Sequence, residues 1–178
     1  MVAGQRVRSR TKLRSHPGLR FVQLAAYLRT NEFIFENMVR SRTVEGLHVL
    51  FRAEASQYWS THFIPGRRSE DMPKRIGHFK RNLLGINLAV PMIFAYGDYV
   101  GDEVLKDHAV ELLEKITCES NTIVDAWRQG GVPMESAVDS QAILQLNNEF
   151  CARRVCWKCP VGKRVIRGAR GSSVLREL

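Results

Sequence analysis

Helical periodicity is the feature of this sequence that most restricts its fold. Apolar residues recur three, four and seven positions apart in most segments, and alternation of apolar and polar residues never lasts more than a few positions. The first pattern is typical of amphipathic helices and the second of strands, so the sequence favours helices throughout. We therefore predict an all-α fold, a single helical domain of about six or seven helices with a C-terminal cysteine knuckle.

Two of the predicted helices define the expected core. The first begins after Pro17 and carries one apolar face, formed by Phe21, Leu24, Ala25 and Leu28. Residues 86–94 are apolar apart from Asn87, and we expect a helix that is buried on all sides, which Pro91 should kink or divide. Other helices are predicted near residues 33–39, 44–53, 105–116, 123–127 and 136–150. Ser136 and Asp139 should cap the last of these helices, and Asn121 should cap the one before it.

Positive charge is concentrated at the two ends of the chain. The net charge is +9, residues 1–20 contain six Lys or Arg and no acid, and residues 151–178 contain eight with one acid. Basic ends are typical of proteins that contact a phosphate backbone, although a solvated tail that only aids solubility has the same composition. The pattern divides the chain into a basic N-terminal segment (1–16), a helical domain (17–166) and a flexible basic tail (167–178).

Three of the four cysteines fall within nine residues, at Cys151, Cys156 and Cys159. This Cys-x4-Cys-x2-Cys spacing supplies three thiolate ligands, and a closed structural zinc site takes four ligands. Either Cys118 or His62 could complete the set. Four thiolates would also suit an iron–sulfur cluster, and three reduced thiols without any metal are the remaining alternative. We predict zinc, with the iron–sulfur cluster as the alternative cofactor.

Basic residues and one tryptophan surround the cysteine motif. They are Arg153, Arg154, Trp157, Lys158, Lys163 and Arg164. Lysine and arginine neutralise phosphates, and an indole ring within a basic loop can stack on a base. These residues are therefore the predicted nucleic-acid-binding surface.

The sequence lacks the motifs of an independent enzyme. Gly162-Lys163 lacks the upstream glycine and the following Ser or Thr of a phosphate-binding loop, and no acid–base pair or activated nucleophile can be recognised. We therefore expect no catalytic activity from this chain alone. The start of the chain has no apolar signal segment, and the longest apolar stretch, 83–96, is shorter than the roughly 20 residues of a membrane span. A cytoplasmic protein without a membrane partner is expected.

A series of short motifs, taken in order, resembles a bacterial family of unknown function, domain-of-unknown-function family 2851. The matching residues are Pro17, Arg20, Gln23, Leu24 and Ala25; Tyr58, Trp59, His62 and Phe63; Asn87, Pro91, Phe94, Tyr96 and Gly97; Glu119, Asn121 and Trp127; Asp139, Ser140 and Gln141; and Cys151, Cys156, Cys159 and Gly162. Together these motifs extend over about residues 12–166.

The resemblance implies a role beside a second domain. Members of the family are longer, so this chain would correspond to the C-terminal half, and the N-terminal half is similar to the metal-binding core of restriction-endonuclease-like nucleases. Any catalytic carboxylates would then lie outside this chain. The family has a histidine where His62 stands, which favours His62 over Cys118 as the fourth metal ligand.

The predicted function is a non-catalytic helical domain that binds nucleic acid as the accessory half of a nuclease-like protein and holds a structural metal. A structural domain that docks on a missing N-terminal domain or protein partner is the first alternative. An iron–sulfur module is the second.

Overall fold

The computed structural model describes residues 16–174, with side chains up to residue 168. The helices are α1 (Pro17–Thr30), α2 (Ile34–Arg40), α3 (Val44–Leu50), α4 (Gln57–Ser60), α5 (His78–Leu84), α6 (Val90–Val100), α7 (Glu103–Lys115), α8 (Thr122–Gln129), α9 (Ala137–Leu146) and α10 (Pro160–Val174). A two-stranded antiparallel sheet joins β1 (His62–Ile64) to β2 (Arg67–Arg68). The predicted all-α class is confirmed, since the described residues are mainly helical.

The chain divides between Leu112 and Leu113 into two compact units. The first unit contains α1 to α6, the sheet and most of α7, and the second contains α8, α9 and α10. The predicted helical domain, 17–166, spans this division. The predicted basic N-terminal segment lies outside the described residues except for His16.

The first helix buries a different face from the one that the sequence predicts. Its buried residues are Leu19, Gln23 and Tyr27. The predicted core residues are instead at least half exposed, at Phe21, Leu24 and Leu28. The prediction was wrong because Gln23, a polar residue, lies on the buried face, where its side-chain nitrogen donates to the backbone oxygen of Lys74 at 3.1 Å. A polar side chain is tolerated inside when it is hydrogen-bonded in this way.

Residues 78–100 form one continuous helix. A π-helical turn, Gly85–Ala89, joins α5 to α6 immediately before Pro91. The wider π turn accommodates a proline, which has no N–H to donate and whose ring clashes with the preceding turn of a regular helix. The expected division at Pro91 therefore does not occur.

Only one side of this helix is buried. Its core residues recur at helical spacing, at Ile86, Ala89, Val90, Ile93 and Gly97. Leu88, Met92 and Phe94 are each at least 40% exposed. The prediction that residues 86–94 are buried on all sides was therefore wrong.

The same helix, His78–Val100, is long and apolar enough to cross a membrane, judged by length and composition alone. A single helix of this kind is weak evidence, because the core helix of a globular protein has the same properties. The absence of a membrane partner stays a prediction.

Helix packing in the first unit holds α1 against the small sheet. Leu19 of α1 forms a cluster with Ala55 and Phe63, while α2 packs on α3 and α6, and α3 packs on α5. Gly101, with φ of +72°, ends α6 in the left-handed region that favours glycine. Through these contacts, α1, α2, α3 and α5 all pack within the first unit.

Side-chain caps define the helices of the second unit. The Asn121 side-chain oxygen accepts from the backbone N–H groups of Ile123 and Val124, both at 3.0 Å. At the start of α9, Asp139 accepts from the backbone N–H groups of Glu135 at 2.9 Å and Ser136 at 3.0 Å. The caps that the sequence predicts for α8 and α9 are confirmed.

The last helix, α10, follows the cysteine motif and was not predicted. It extends through Val174, into the segment predicted as a tail. The segment contains several glycines, and because glycine is a weak helix former, the sequence did not indicate a helix here. Whether residues 167–178 are flexible stays a prediction.

Candidate functional site

The cysteine motif lies in the tight connection between α9 and α10 in the second unit. A π-helical turn, Asn147–Cys151, extends α9 and ends at the first cysteine. Cys151 and Cys156 are exposed, whereas Cys159 is buried. All four cysteines of the chain are free thiols. Two cysteines of the motif are therefore exposed to solvent and the third is enclosed.

Backbone hydrogen bonds make the connection compact. The Cys159 N–H lies within 3.3 Å of the Val155 oxygen and 3.2 Å of the Cys156 oxygen, and the Arg154 N–H donates to Cys151 at 3.0 Å. Arg154 itself has φ of 54°, in the left-handed region that non-glycine residues rarely adopt. A turn closed by several short hydrogen bonds holds this residue in an otherwise unfavourable conformation.

Gly162 sets the approach of α10 to this turn. A Cβ atom at this position would clash with the Cys156 carbonyl oxygen and would lie 3.1 Å from its carbon and 3.2 Å from its Cα. All three atoms belong to the backbone, which cannot move aside as a flexible side chain can. The first turn of α10 therefore packs on Cys156 only because position 162 has no side chain.

The predicted nucleic-acid-binding residues are all exposed, namely Arg153, Arg154, Trp157, Lys158, Lys163 and Arg164. No Asp or Glu occurs from residue 150 to residue 174, and Glu149, just before this range, pairs with Arg153 at 3.1 Å. Trp157 is 62% exposed, which is unusual for the largest apolar side chain. The structure thus gives this segment a solvent-facing tryptophan among cations.

Helix α10 adds a second arrangement that the sequence analysis missed. Lys163, Arg164 and Arg167 fall within about 100° of one another around a helix of 3.6 residues per turn. Val161, Val165 and Ile166 lie on the opposite side and are 51%, 65% and 41% exposed. The helix therefore has a basic face and an exposed apolar face. A helical projection of residues 160–168 would have revealed both faces.

His62, the predicted fourth metal ligand, lies in the first unit. Its Nδ1 is 2.9 Å from the backbone oxygen of Tyr58, and its ring stacks on the Tyr58 ring at a centroid distance of 4.2 Å. Because a carbonyl oxygen only accepts, this contact requires a proton on Nδ1, which in the neutral imidazole leaves the lone pair on Nε2. This tautomer is the one in which Nε2 can bind a metal.

Within the part of the chain that the structure describes, no three His, Cys, Asp or Glu residues are grouped closely enough to hold a metal ion. Cys118, the alternative ligand, is half-buried and accepts from Arg128 Nη2 at 3.4 Å through its sulfur. The metal site and its ligand set therefore stay a prediction.

Two of the polar motifs quoted above come together in the second unit. Glu119 accepts from the side chain of Asn121 at 2.6 Å and from that of Gln141 at 3.0 Å. Ser140, which is fully buried, bonds the backbone oxygen of Ala137. These contacts join the starts of α8 and α9, so these motifs have a structural role.

The chain matches a known protein family. The sequence model of the family described as "Protein of unknown function (DUF2851)" matches residues 5–122, which is more than half of the 178 residues. The cysteine motif lies beyond the matched range. No curated protein and no solved structure matches the chain.

Proposed function

This chain belongs to the family of proteins of unknown function DUF2851, and because that description assigns no activity, we propose a function from the site: it binds single-stranded nucleic acid. The binding surface would consist of seven exposed residues, hereafter the basic surface: Arg153, Arg154, Trp157, Lys158, Lys163, Arg164 and Arg167. The observation that carries the proposal is the 62% exposure of Trp157 between cationic neighbours.

Charge supplies the sequence-independent part of the binding. Six of the seven residues of the basic surface are Lys or Arg, and residues 150–174 contain no acid. Arg153 pairs with Glu149 at 3.1 Å, and the other cations of the surface are exposed and available to phosphates. Each neutralised phosphate releases condensed counterions. Binding should therefore weaken steeply as salt concentration rises.

The tryptophan favours unpaired bases. A base within a duplex hides its π-face in the stack, whereas a single-stranded base can stack on an exposed indole. Each such stacking contact is worth about 1–3 kcal/mol. We therefore propose single strands as the preferred ligand over duplexes.

Fluorescence anisotropy with a labelled 20-nucleotide thymidine oligonucleotide tests the proposal. Changing Arg153, Arg154 and Lys158 together to Gln should reduce the slope of log K against log salt by about 2, because each single-strand phosphate contact contributes about 0.7. A triple Gln variant at Arg29, Arg40 and Arg52, which are exposed in the first unit, serves as the charge-matched control. An equal change of slope in both variants would refute the assignment of the basic surface.

The stacking step has its own test. Trp157→Ala should weaken single-strand binding by about 5- to 150-fold, which corresponds to 1–3 kcal/mol. The same substitution should leave the salt slope unchanged, because it removes no charge. Equal affinity of the wild type for the thymidine strand and for its duplex with adenosine would contradict the proposed preference.

A structural zinc is part of the same proposal, with Cys151, Cys156, Cys159 and His62 as its ligands. The Cys-x4-Cys-x2-Cys spacing and the exposure of Cys151 and Cys156 support it, as does the contact of His62 Nδ1 with the Tyr58 oxygen, which leaves Nε2 for a metal. Zinc would hold the connection between α9 and α10 in place and so fix the basic surface. An iron–sulfur cluster remains the alternative occupant of these thiolates.

The nuclease-like N-terminal partner and the cytoplasmic location also belong to the proposal. The resemblance to longer family members supports the partner, and a cysteine motif suited to metal ligation is consistent with a reducing compartment. In this proposal the chain contributes nucleic-acid binding and the partner contributes the chemistry.

A second candidate function is docking onto that partner or another protein. The exposed apolar face of α10, formed by Val161, Val165 and Ile166, favours it. A Val165→Glu change should abolish association with a partner but leave oligonucleotide affinity nearly unchanged. Size-exclusion chromatography of this chain mixed with the N-terminal half of a longer family member measures the association.

A further inference from the structure

A pocket in the first unit has the size and lining of a small-molecule site. It encloses about 530 Å³ between α1 and the helix of residues 78–100, within the range of roughly 300–1,000 Å³ that is typical of ligand pockets. Most of its wall is apolar, formed by Leu24, Tyr27, Phe51, Ile76, Leu83, Leu84 and Leu88. Its polar side chains are Arg20, Gln23, Lys80 and Asn87.

Two cations share one part of the pocket wall. Burial lowers the pKa of Arg20, and burial followed by the charge of Arg20 lowers the pKa of Lys80. The two side chains are thus close enough for their charges to repel. Among the described residues that line the pocket there is no Asp or Glu. An anion bound here would relieve the repulsion.

A neighbouring groove shows which end of the pocket is polar. It shares Arg20, Gln23 and Lys80 with the pocket and adds Arg75, so the two cations lie where the pocket and the groove meet. Lys74, which also lines the groove, is held by the backbone oxygens of Ser60 at 2.7 Å and Met72 at 3.2 Å. An anionic group would therefore lie at this junction and an apolar body would extend toward Leu84 and Leu88.

Tyr27 gives an independent indication of a ligand. Its side chain is 9% exposed, and its hydroxyl has no hydrogen-bond partner among the described residues. Burial raises the pKa of Tyr27, so the hydroxyl stays protonated and able to donate. A buried hydroxyl without a partner is costly, and a ligand that accepts its hydrogen would remove this cost.

Helix geometry places the hydroxyl and the cations at a defined separation. Arg20 and Tyr27 are seven residues apart on α1, which puts them on the same face with their Cα atoms about 10 Å apart along the axis. A ligand that reaches both would therefore be elongated. It would carry its negative charge at one end and a hydrogen-bond acceptor near the other.

We propose that this pocket binds an elongated organic anion, with a carboxylate or phosphate against Arg20 and Lys80, an apolar body along the leucines, and a distal oxygen that accepts from Tyr27. Arg20 also donates to Gln23 at 2.5 Å, a contact that orients its guanidinium group. The pocket lies in the first unit and shares no residue with the basic surface.

Isothermal titration calorimetry with four probes tests each part of the proposal. Decanoate should bind at least tenfold more tightly than decanol, which has the same body without the charge, and 10-hydroxydecanoate should bind more tightly than decanoate. Decyl phosphate in place of decanoate distinguishes the two anionic groups, and the tighter of the two identifies the preferred one. Equal binding of decanol and decanoate, or no binding of any probe, would overturn the proposal.

Three variants locate the binding. Lys80→Gln should weaken decanoate binding at least tenfold, whereas the matched Lys115→Gln, in the second unit, should leave it unchanged. Tyr27→Phe should remove the preference for 10-hydroxydecanoate and preserve decanoate binding. Thermal unfolding confirms that each variant is folded. Decanoate binding that Lys80→Gln does not weaken would place the ligand elsewhere and refute the site.

Discussion

The close approach of α10 to the cysteine motif can be tested at a single atom. Replacing Gly162 with Ala adds a Cβ that clashes with the Cys156 carbonyl oxygen and lies 3.1 Å from its carbon. Overpacking against atoms that cannot move costs about 1–3 kcal/mol. Alanine is favoured over glycine within a helix by up to about 1 kcal/mol. The clash should exceed the helix preference, and we expect a net loss of up to about 2 kcal/mol in the free energy of unfolding.

Gly168 in the same helix is the matched control. Among the described atoms, a Cβ there meets none within 4 Å, so Gly168→Ala should show mainly the helix preference and stabilise the protein by up to about 1 kcal/mol. The two substitutions are chemically identical and should have opposite signs. Urea unfolding followed by far-ultraviolet circular dichroism measures both. Stabilisation by Gly162→Ala equal to that by Gly168→Ala would refute the close contact between α10 and Cys156.

Three further predictions follow from the caps and from the proposed metal. Asn121→Ala should cost about 1 kcal/mol of stability, because two N–H groups of α8 lose their acceptor, and urea unfolding of the variant measures this loss. Backbone N–H groups of Ser136 and then Glu135 lower the pKa of Asp139. The stability that this carboxylate contributes is therefore present above the unfolded pKa near 3.9 and is lost as pH falls through the lower folded pKa. An Asp139→Asn variant that loses as much stability below about pH 4 as the wild type would contradict this. Protein purified without chelator should contain about one zinc per chain, and His62→Ala should lose it by elemental analysis, whereas iron with sulfide would favour the cluster.

The helices of this fold could be predicted because their signals are local. Caps such as Asn121 and Asp139 act within four residues of their own position, so the sequence alone places them. The small sheet could not be predicted, because β1 and β2 are only three and two residues long and carry no lasting alternation. The boundary between the two units falls within α7, where the continuous helical pattern conceals it.

The exposed basic surface could also be predicted in part. The positive charge and Trp157 indicated an exposed binding segment at residues 153–164, since long cationic side chains are rarely buried. Arg167 was missed because the sequence pattern after Gly162 was interpreted as a tail. Once residues 160–174 are known to be helical, the period of 3.6 residues groups Arg167 with Lys163.

The wrong prediction of which face of α1 is buried explains why the pocket could not be found from the sequence. Hydrophobicity assigned the core face to Phe21, Leu24 and Leu28, but the buried face contains Gln23 because a distant backbone oxygen, that of Lys74, accepts its hydrogen. That contact joins residues 51 positions apart, and no local pattern encodes it. Burying Gln23 rotates α1 so that Arg20 and Tyr27 line the pocket with Leu24. Gln23, whose burial made the prediction for α1 wrong, is therefore the residue that places the Arg20 cation and the Tyr27 hydroxyl in an otherwise apolar wall.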